Sequence, residues 1–344
     1  MTKLYSVGIG VGTQNKKGEW LEVFYPAPLL NPDAAIASAL SEALDYSAGN
    51  AVINLDNSSL QSLADALDKQ QQSAQAAAVK SLLNSKRSCV ATILASDDEP
   101  GSVPEAYLKL QLISHRLVRP HGINLSGIFG SLPNVAWTNE GAIDLTELPA
   151  RQVAARINGQ NLSVDSVDKF PKMSDYVVPA GVRIADARRV RLGAYIGEGT
   201  TIMHEGFVNF NAGAEGPNMI EGRISAGVFV GAGSDLGGSS STMGTLSGGG
   251  NIIISVGKEC LLGANAGIGI PLGDRCIIEA GLYITAGTKV VMLDDSKQVA
   301  GETKARELAG KSDLLFRRNS VSGAIECLTN QTAVELNEAL HAHN

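Results

Sequence analysis

The sequence predicts a mainly β protein organised around a parallel β-helix, with an α/β region before it and a small α/β extension after it. One observation is a six-residue beat of branched apolar side chains: Val178, Ile184, Val190, Ile196, Ile202 and Val208. A half-buried strand repeats every two residues and a helix every 3.6, so neither accounts for that spacing. A solenoid does, because each aliphatic side chain takes the same inward position on successive faces and stacks on its equivalent one coil away. The beat then returns in shifted phase, as Ile224, Val230 and Leu236, as Val256, Leu262 and Ile268, and as Leu272, Ile278, Ile284 and Val290. Each shift predicts a loop or an irregular coil, and the competing arrangement, ordinary buried strands in a sandwich, leaves the recurrence unexplained. Finally, the 38 glycines of the 344 residues crowd into the second half, where tight corners need small residues and positive φ, as at Leu192-Gly193-Ala194.

The remaining elements follow in order. An early strand is expected near Leu4 to Gly8, Ala/Leu-rich helices near Pro32 to Tyr46 and Leu60 to Leu83, and a buried strand over Cys89 to Leu94. A helix from Pro104 to Leu117 leads into a connector containing Arg119-Pro120-His121-Gly122, with a further helical pattern near Glu147 to Ile157. After the coils come a short helix near Thr303 to Leu308, strands over Leu314 to Arg317 and Ala324 to Leu328, and a last helix from Ala333. The expected division is 1–176, 177–292 and 293–344, the last part closing the open end of the solenoid, which otherwise exposes unpaired backbone.

Composition narrows the function. A formal charge of -7 without a polybasic run argues against nucleic acid as the main partner. Four cysteines, Cys89, Cys260, Cys276 and Cys327, with no CxxC pair, suggest a reduced cytoplasmic protein. The start, Met1 to Ser6, lacks the pattern of a secretory leader, and no segment approaches the roughly 20 apolar residues of a membrane span.

Chemistry is expected where the repeat is interrupted. Met203 to Gly213 packs His204, Glu205, Asn209 and Asn211 beside aromatic residues. Asn218 to Ser225 places Glu221 and Arg223 around Gly222. Gly237 to Gly250, rich in glycine and serine, has no core of its own and offers backbone amides and hydroxyls to a ligand. Together with Leu261 to Gly269 and Glu279 to Gly287, these strings closely resemble the tetrahydrodipicolinate N-succinyltransferases, in their long-chain form. The resemblance is dense from Val177 to Ser320 and weak before residue 150. It implies left-handed β-helices assembled as a homotrimer, active sites between subunits, and succinyl transfer from succinyl-CoA to a dicarboxylate amine in lysine and diaminopimelate synthesis.

By that resemblance the catalytic carboxylate is Glu221, acting either as a nucleophile on the thioester or as a base for the attacking amine. A salt bridge on a turn is the plain alternative. The acyl-CoA contacts fall on Arg223, Gly238, Ser241, Ala264, Glu279, Ala280 and Gly287 along the coils. They continue on Lys304, Arg317, Arg318, Asn319 and Ser320, whose cations suit phosphates. Glu205 matches a position that holds magnesium on the trimer axis, although Arg188 stands where relatives carry an aspartate. His204, the lone histidine of the coils, is a competing general base, and three histidines for a zinc hydratase are lacking. Arg191, Asn209 and Asn211 are the candidates for the acceptor's carboxylates. Acetyl-CoA as donor, or a non-catalytic β-helical binding module, are the other functions the residues allow.

Overall fold

The computed structural model describes residues 3–244 and 252–329. The last helix expected from Ala333 and the expected loop's stretch 245–250 lie outside the described residues. The chain forms two compact units, one of residues 1–112 and 122–171, the other of residues 113–121 and 172–344.

In the first unit, the strand Ser6–Gln14 pairs antiparallel with Trp20–Phe24 on one side and Ser88–Leu94 on the other, and the latter pairs antiparallel with Ala51–Leu55. Helices and strands are mixed as expected, yet these pairings make an α+β sheet rather than alternating parallel α/β units. Leu60, Leu63, Ala64 and Leu67 of the helix Asn57–Lys69 bury against Ile36, Leu40, Val7 and Ile93. The single helix expected over Leu60 to Leu83 is two, Asn57–Lys69 and Ser73–Lys80, broken where Gln71 adopts a positive φ of 59°. A second, three-stranded antiparallel sheet, Gly141–Asp144, Val135–Thr138 and Val164–Asp168, had no expected counterpart; the helix Leu148–Ile157 packs Leu148 and Ala155 into its small core.

The second unit carries the coils. Three sheets of parallel strands run along them, and the inward aliphatics stack in register: Ile202 on Ile220, Ile220 on Leu236, Leu236 on Leu262, Leu262 on Ile278. From Val190 onward every residue of the expected beat is buried. Val178 is not part of it; at 68% exposed it precedes the first paired strand, Arg183–Ile184. The phase change between Val208 and Ile224 is, of the two expected causes, an irregular coil and not a loop. The stack continues through Ala214 and Ile220, both fully buried, and the beat slips because the corner from Ile220 to Ile224 takes four residues instead of six. Ala214 escapes a search for branched side chains because it is too small.

An open edge of parallel strands would invite pairing with other chains. The edge strand Ala194–Ile196 is covered by residues from the connector. The Ser114 hydroxyl donates to Ala194 O at 3.0 Å and accepts from Gly193 N at 2.9 Å, while Arg116 donates to Ile196 O at 2.6 Å and Ala180 O at 2.9 Å. At the far end Phe316, fully buried, extends the stack beyond Ile278. Its strand Leu314–Arg318 pairs antiparallel with Ile325–Thr329, so the tail closes the last coil. The short helix expected from Thr303 is a 3₁₀ turn at Ala305–Leu308, preceded by the strand Val299–Lys304. Among the described residues no helix is long and apolar enough to cross a membrane.

Candidate active site

The site residues gather along one corner of the coils. This corner joins the sheet containing Ile202 and Ile220 to the sheet containing Val208 and Ile224. In five coils it spans six residues, Ile184 to Val190, Ile202 to Val208, Leu236 to Thr242, Leu262 to Ile268 and Ile278 to Ile284. In the coil of Glu221 it spans four, Ile220 to Ile224. Backbone pairing holds the short corner in place: Glu221 N donates to Leu236 O and Arg223 N to Ser240 O, both at 2.8 Å, while Gly222 O accepts from Phe207 N at 3.0 Å. Glu221 thus lies set back between the longer corners above and below it.

Its half-buried carboxylate accepts no hydrogen bond and forms no ion pair among the described residues, so the salt bridge to a neighbouring arginine is absent. Gly222 and Gly238 line the recess. A Cβ on Gly222 would stand 2.1 Å from Ser240 Oγ, whereas one on Gly238 would stand 3.5 Å from Glu221 Oε2.

The expected acyl-CoA contacts follow from that point in neighbouring strands. Arg223 is directly paired with Ser241, and both point outward from the same sheet. Gly238, Ala264 and Ala280 occupy equivalent corner positions in three successive coils. Gly287 follows the strand Tyr283–Thr285. Glu279 is committed within the chain, its Oε2 accepting from Arg318 N at 2.7 Å and tying the last coil to the tail. Arg317 is likewise engaged with Glu326 at 2.8 Å, and Asn319 Nδ2 donates to the other oxygen of that carboxylate at 2.8 Å. The Asn319 hydrogen bond first, and then Arg317, hold the Glu326 carboxyl below the usual carboxylate range. Arg318, Ser320 and Lys304 are exposed, with Lys304 directly opposite Lys289 in the hairpin.

The other candidates divide. His204 is exposed at the corner above the recess, and so is Glu205, whose backbone oxygen accepts from Arg189 at 3.0 Å. Arg188 pairs with Asp186 at 3.2 Å. Arg191 donates to Asn209 Oδ1 at 3.1 Å and lies 6.0 Å from the centre of the Phe207 ring, as does Arg189. Asn211 serves the fold instead, since at a φ of 50° it forms a turn and its side chain accepts from His121 N at 2.9 Å. Tyr283 is absent from the residues that the sequence singles out; its ring occupies the space above Gly267, where a Cβ would lie 2.1 Å from it. Its signal is a lone outward aromatic beside the buried Leu282 and Ile284. Ser240 lies in the string Gly237 to Gly250 expected to offer hydroxyls to a ligand, yet at 1% exposure it is buried within the coils.

Inward aliphatics at six-residue spacing on three parallel sheets define a hexapeptide-repeat protein, and residues 253–286 match the family model described as the hexapeptide repeat of succinyl-transferase. The chain is 68% identical to the 2,3,4,5-tetrahydropyridine-2,6-dicarboxylate N-succinyltransferase of Pseudomonas paraeruginosa over 341 residues, covering 99% of both chains. It belongs to that N-succinyltransferase family. The Vibrio cholerae protein of the same name is 58% identical over 340 residues, again covering 99% of both chains. Residues 132–172, which contain the unexpected three-stranded sheet, match the family model for the middle region of tetrahydrodipicolinate N-succinyltransferase. A crystal structure from Campylobacter jejuni, provisionally named a 2,3,4,5-tetrahydropyridine-2-carboxylate N-succinyltransferase, superposes with a TM-score of 0.87 at 34% identity, covering 97% of this chain and 94% of that one.

Proposed function

We propose that this chain transfers the succinyl group of succinyl-CoA to the amine of ring-opened tetrahydrodipicolinate, giving N-succinyl-2-amino-6-oxopimelate and CoA in lysine and diaminopimelate synthesis. The observation that carries the catalytic assignment is the Glu221 carboxylate, half-buried in a recess and without a protein partner among the described residues. In direct transfer the amine attacks the thioester carbonyl, Glu221 takes the amine proton, and the C–S bond breaks to release the CoA thiolate, which is then protonated. In the two-step route a Glu221 oxygen displaces CoA first, and the amine then opens the resulting anhydride. Either route requires an accessible carboxylate.

Arg223 and Ser241 border the recess, and the line through Ala264, Ala280 and Gly287 suits a slender pantetheine arm using backbone hydrogen bonds. At the nucleotide end Lys304 and Arg318 are the stronger phosphate candidates, because Glu326 already offsets the charge of Arg317. A left-handed coil and a homotrimer with sites between subunits complete the proposal. The outward residues Met219, Leu261 and Ile277, with Asp235 between the first two, give one sheet a largely apolar, partly exposed face suited to a second copy. Light scattering should return three times the 35.8 kDa chain mass, and a monomer would remove the shared site. Four free, buried cysteines accord with a cytoplasmic location.

Each chain brings a single carboxylate, Glu205, exposed at a corner where its backbone oxygen accepts from Arg189, so a magnesium ion would be held by the Glu205 carboxylates of three subunits meeting on the trimer axis.

The test is release of CoA thiol from succinyl-CoA in the presence of tetrahydrodipicolinate. Release should depend on the acceptor and fall by about 10²–10⁴-fold in Glu221→Gln. Release that survives the substitution would return attention to His204. A preference for acetyl-CoA would replace the donor, and silence with both donors would leave a binding module.

A further inference from the structure

The corner position occupied by Gly238 recurs in the next two coils as Ala264 and Ala280, so this backbone slot accepts a methyl group. Nothing in the conformation of Gly238 demands glycine: its φ lies outside the left-handed region, and the nearest atom to an added Cβ is Glu221 Oε2, at 3.5 Å, ordinary contact distance. By contrast, Gly222 is glycine for packing, since an added Cβ would strike Ser240 Oγ at 2.1 Å and Ser240 O at 2.6 Å. The methyl is therefore missing in the one coil where it would face Glu221. In the same place, the corner carrying Glu221 is two residues shorter than its five counterparts. Two independent features, a shortened corner and a missing side chain, remove atoms from one volume beside one carboxylate.

We propose that this volume is the seat of the succinyl group's reacting end, and that Gly238 is a specificity-determining residue that provides clearance. The inference deepens the proposed function and rests on it. The shortened corner withdraws the Glu221 backbone, so that the carboxylate meets the acyl carbon from the side. Gly238 leaves room for the chain that follows that carbon, which in succinate continues through two methylenes to a second carboxylate. A CoA thiol without its acyl group does not enter the volume. The pantetheine arm runs past it along Ser241 and Ala264.

The experiment compares Gly238→Ala and Gly238→Val with the native chain, measuring succinyl transfer, affinity for free CoA and thermal stability. Both variants should fold, Gly238→Ala with an unchanged melting temperature, because Ala264 and Ala280 occupy the same slot. In Gly238→Ala, kcat for succinyl transfer should fall at least tenfold while the Kd for free CoA changes less than threefold, and Gly238→Val should lose transfer altogether. Unchanged kcat in both variants would overturn the clearance role, and so would parallel losses of kcat and CoA affinity, which mark an ordinary cofactor contact. If the native chain itself fails to release CoA in the presence of the acceptor, the proposed function falls and the inference falls with it. A working native enzyme with indifferent variants removes the inference alone.

Discussion

Gly222 and Ser240 share one small space. Ser240 is 1% exposed and its hydroxyl finds no protein partner among the described residues, yet it stands where a side chain on residue 222 would have to go. An unpaired buried hydroxyl costs about 1–3 kcal/mol. At this position its bulk fills the space beside Gly222, and Arg223 N donates to the Ser240 carbonyl, so that Ser240 fixes the short corner that carries Glu221. Gly222→Ala should therefore cost about 1–3 kcal/mol through overpacking and lower activity by displacing the neighbouring carboxylate. Denaturant titration together with CoA release measures both, and a variant of native stability and activity would show that the corner yields freely. Glu221 itself gains its candidacy from what surrounds it: it has neither the hydrogen bond that commits Glu279 nor the ion pair that commits Glu326.

At the scale of elements, the coils are stabilised by stacking within the solenoid and by closure at its ends. The pair Leu314–Arg318 and Ile325–Thr329 forms the far closure, with Arg317 and Glu326 directly opposite one another across the strands. Because the folded Glu326 carboxyl is held below its unfolded value of about 4.3, its contribution is complete above that pH and is lost as the pH falls through the depressed folded value. Glu326→Gln should lower the urea midpoint at pH 7 and lower it by less at pH 3. An equal deficit at both pH values would mean that shape, not charge, holds the tail. At the near end, Arg116 meets two backbone carbonyls while Arg119 pairs with Glu215 at 2.6 Å. Burial raises the Glu215 carboxyl, but the Arg119 hydrogen bond and charge hold it below the usual range, so that closure too weakens as the pH falls through the depressed value.

For the whole molecule, the four thiols report on cooperativity. All are buried and unpaired; burial pushes Cys327 up to about 12, and Cys260 is raised by its contact with Cys276 and by burial. Cys260 and Cys276 stack on adjacent coils, where Cys276 N donates to Cys260 Sγ at 3.3 Å, so they serve as small core residues that satisfy backbone groups. The native protein should be inert to Ellman's reagent over minutes, with all four thiols reacting together on unfolding. A thiol that reacts early would locate a part of the core that opens before the rest.

The coils were legible because stacking imposes a local period: inward positions recur every six residues and are apolar almost throughout, Thr242 being a polar one, so that from Val190 to Val290 the pattern shows in the sequence itself. The same regularity made the interruptions at Glu205, Glu221 and Gly237 visible, and the strings around them carried the family. What the sequence by itself determined was therefore the repeat, its core and the position of the candidate carboxylate. The shortened corner was not legible, since a slip in phase reads equally as a loop until Ala214 and Ile220 are seen to continue the stack. Nor was the cover supplied by Ser114 and Arg116, which lie about eighty residues before the carbonyls they meet. The commitments of Arg317 and Glu279 were also hidden, because a charged residue in sequence carries no mark of its partner. Those facts depend on register between coils and on contacts distant in sequence, which only the tertiary structure decides.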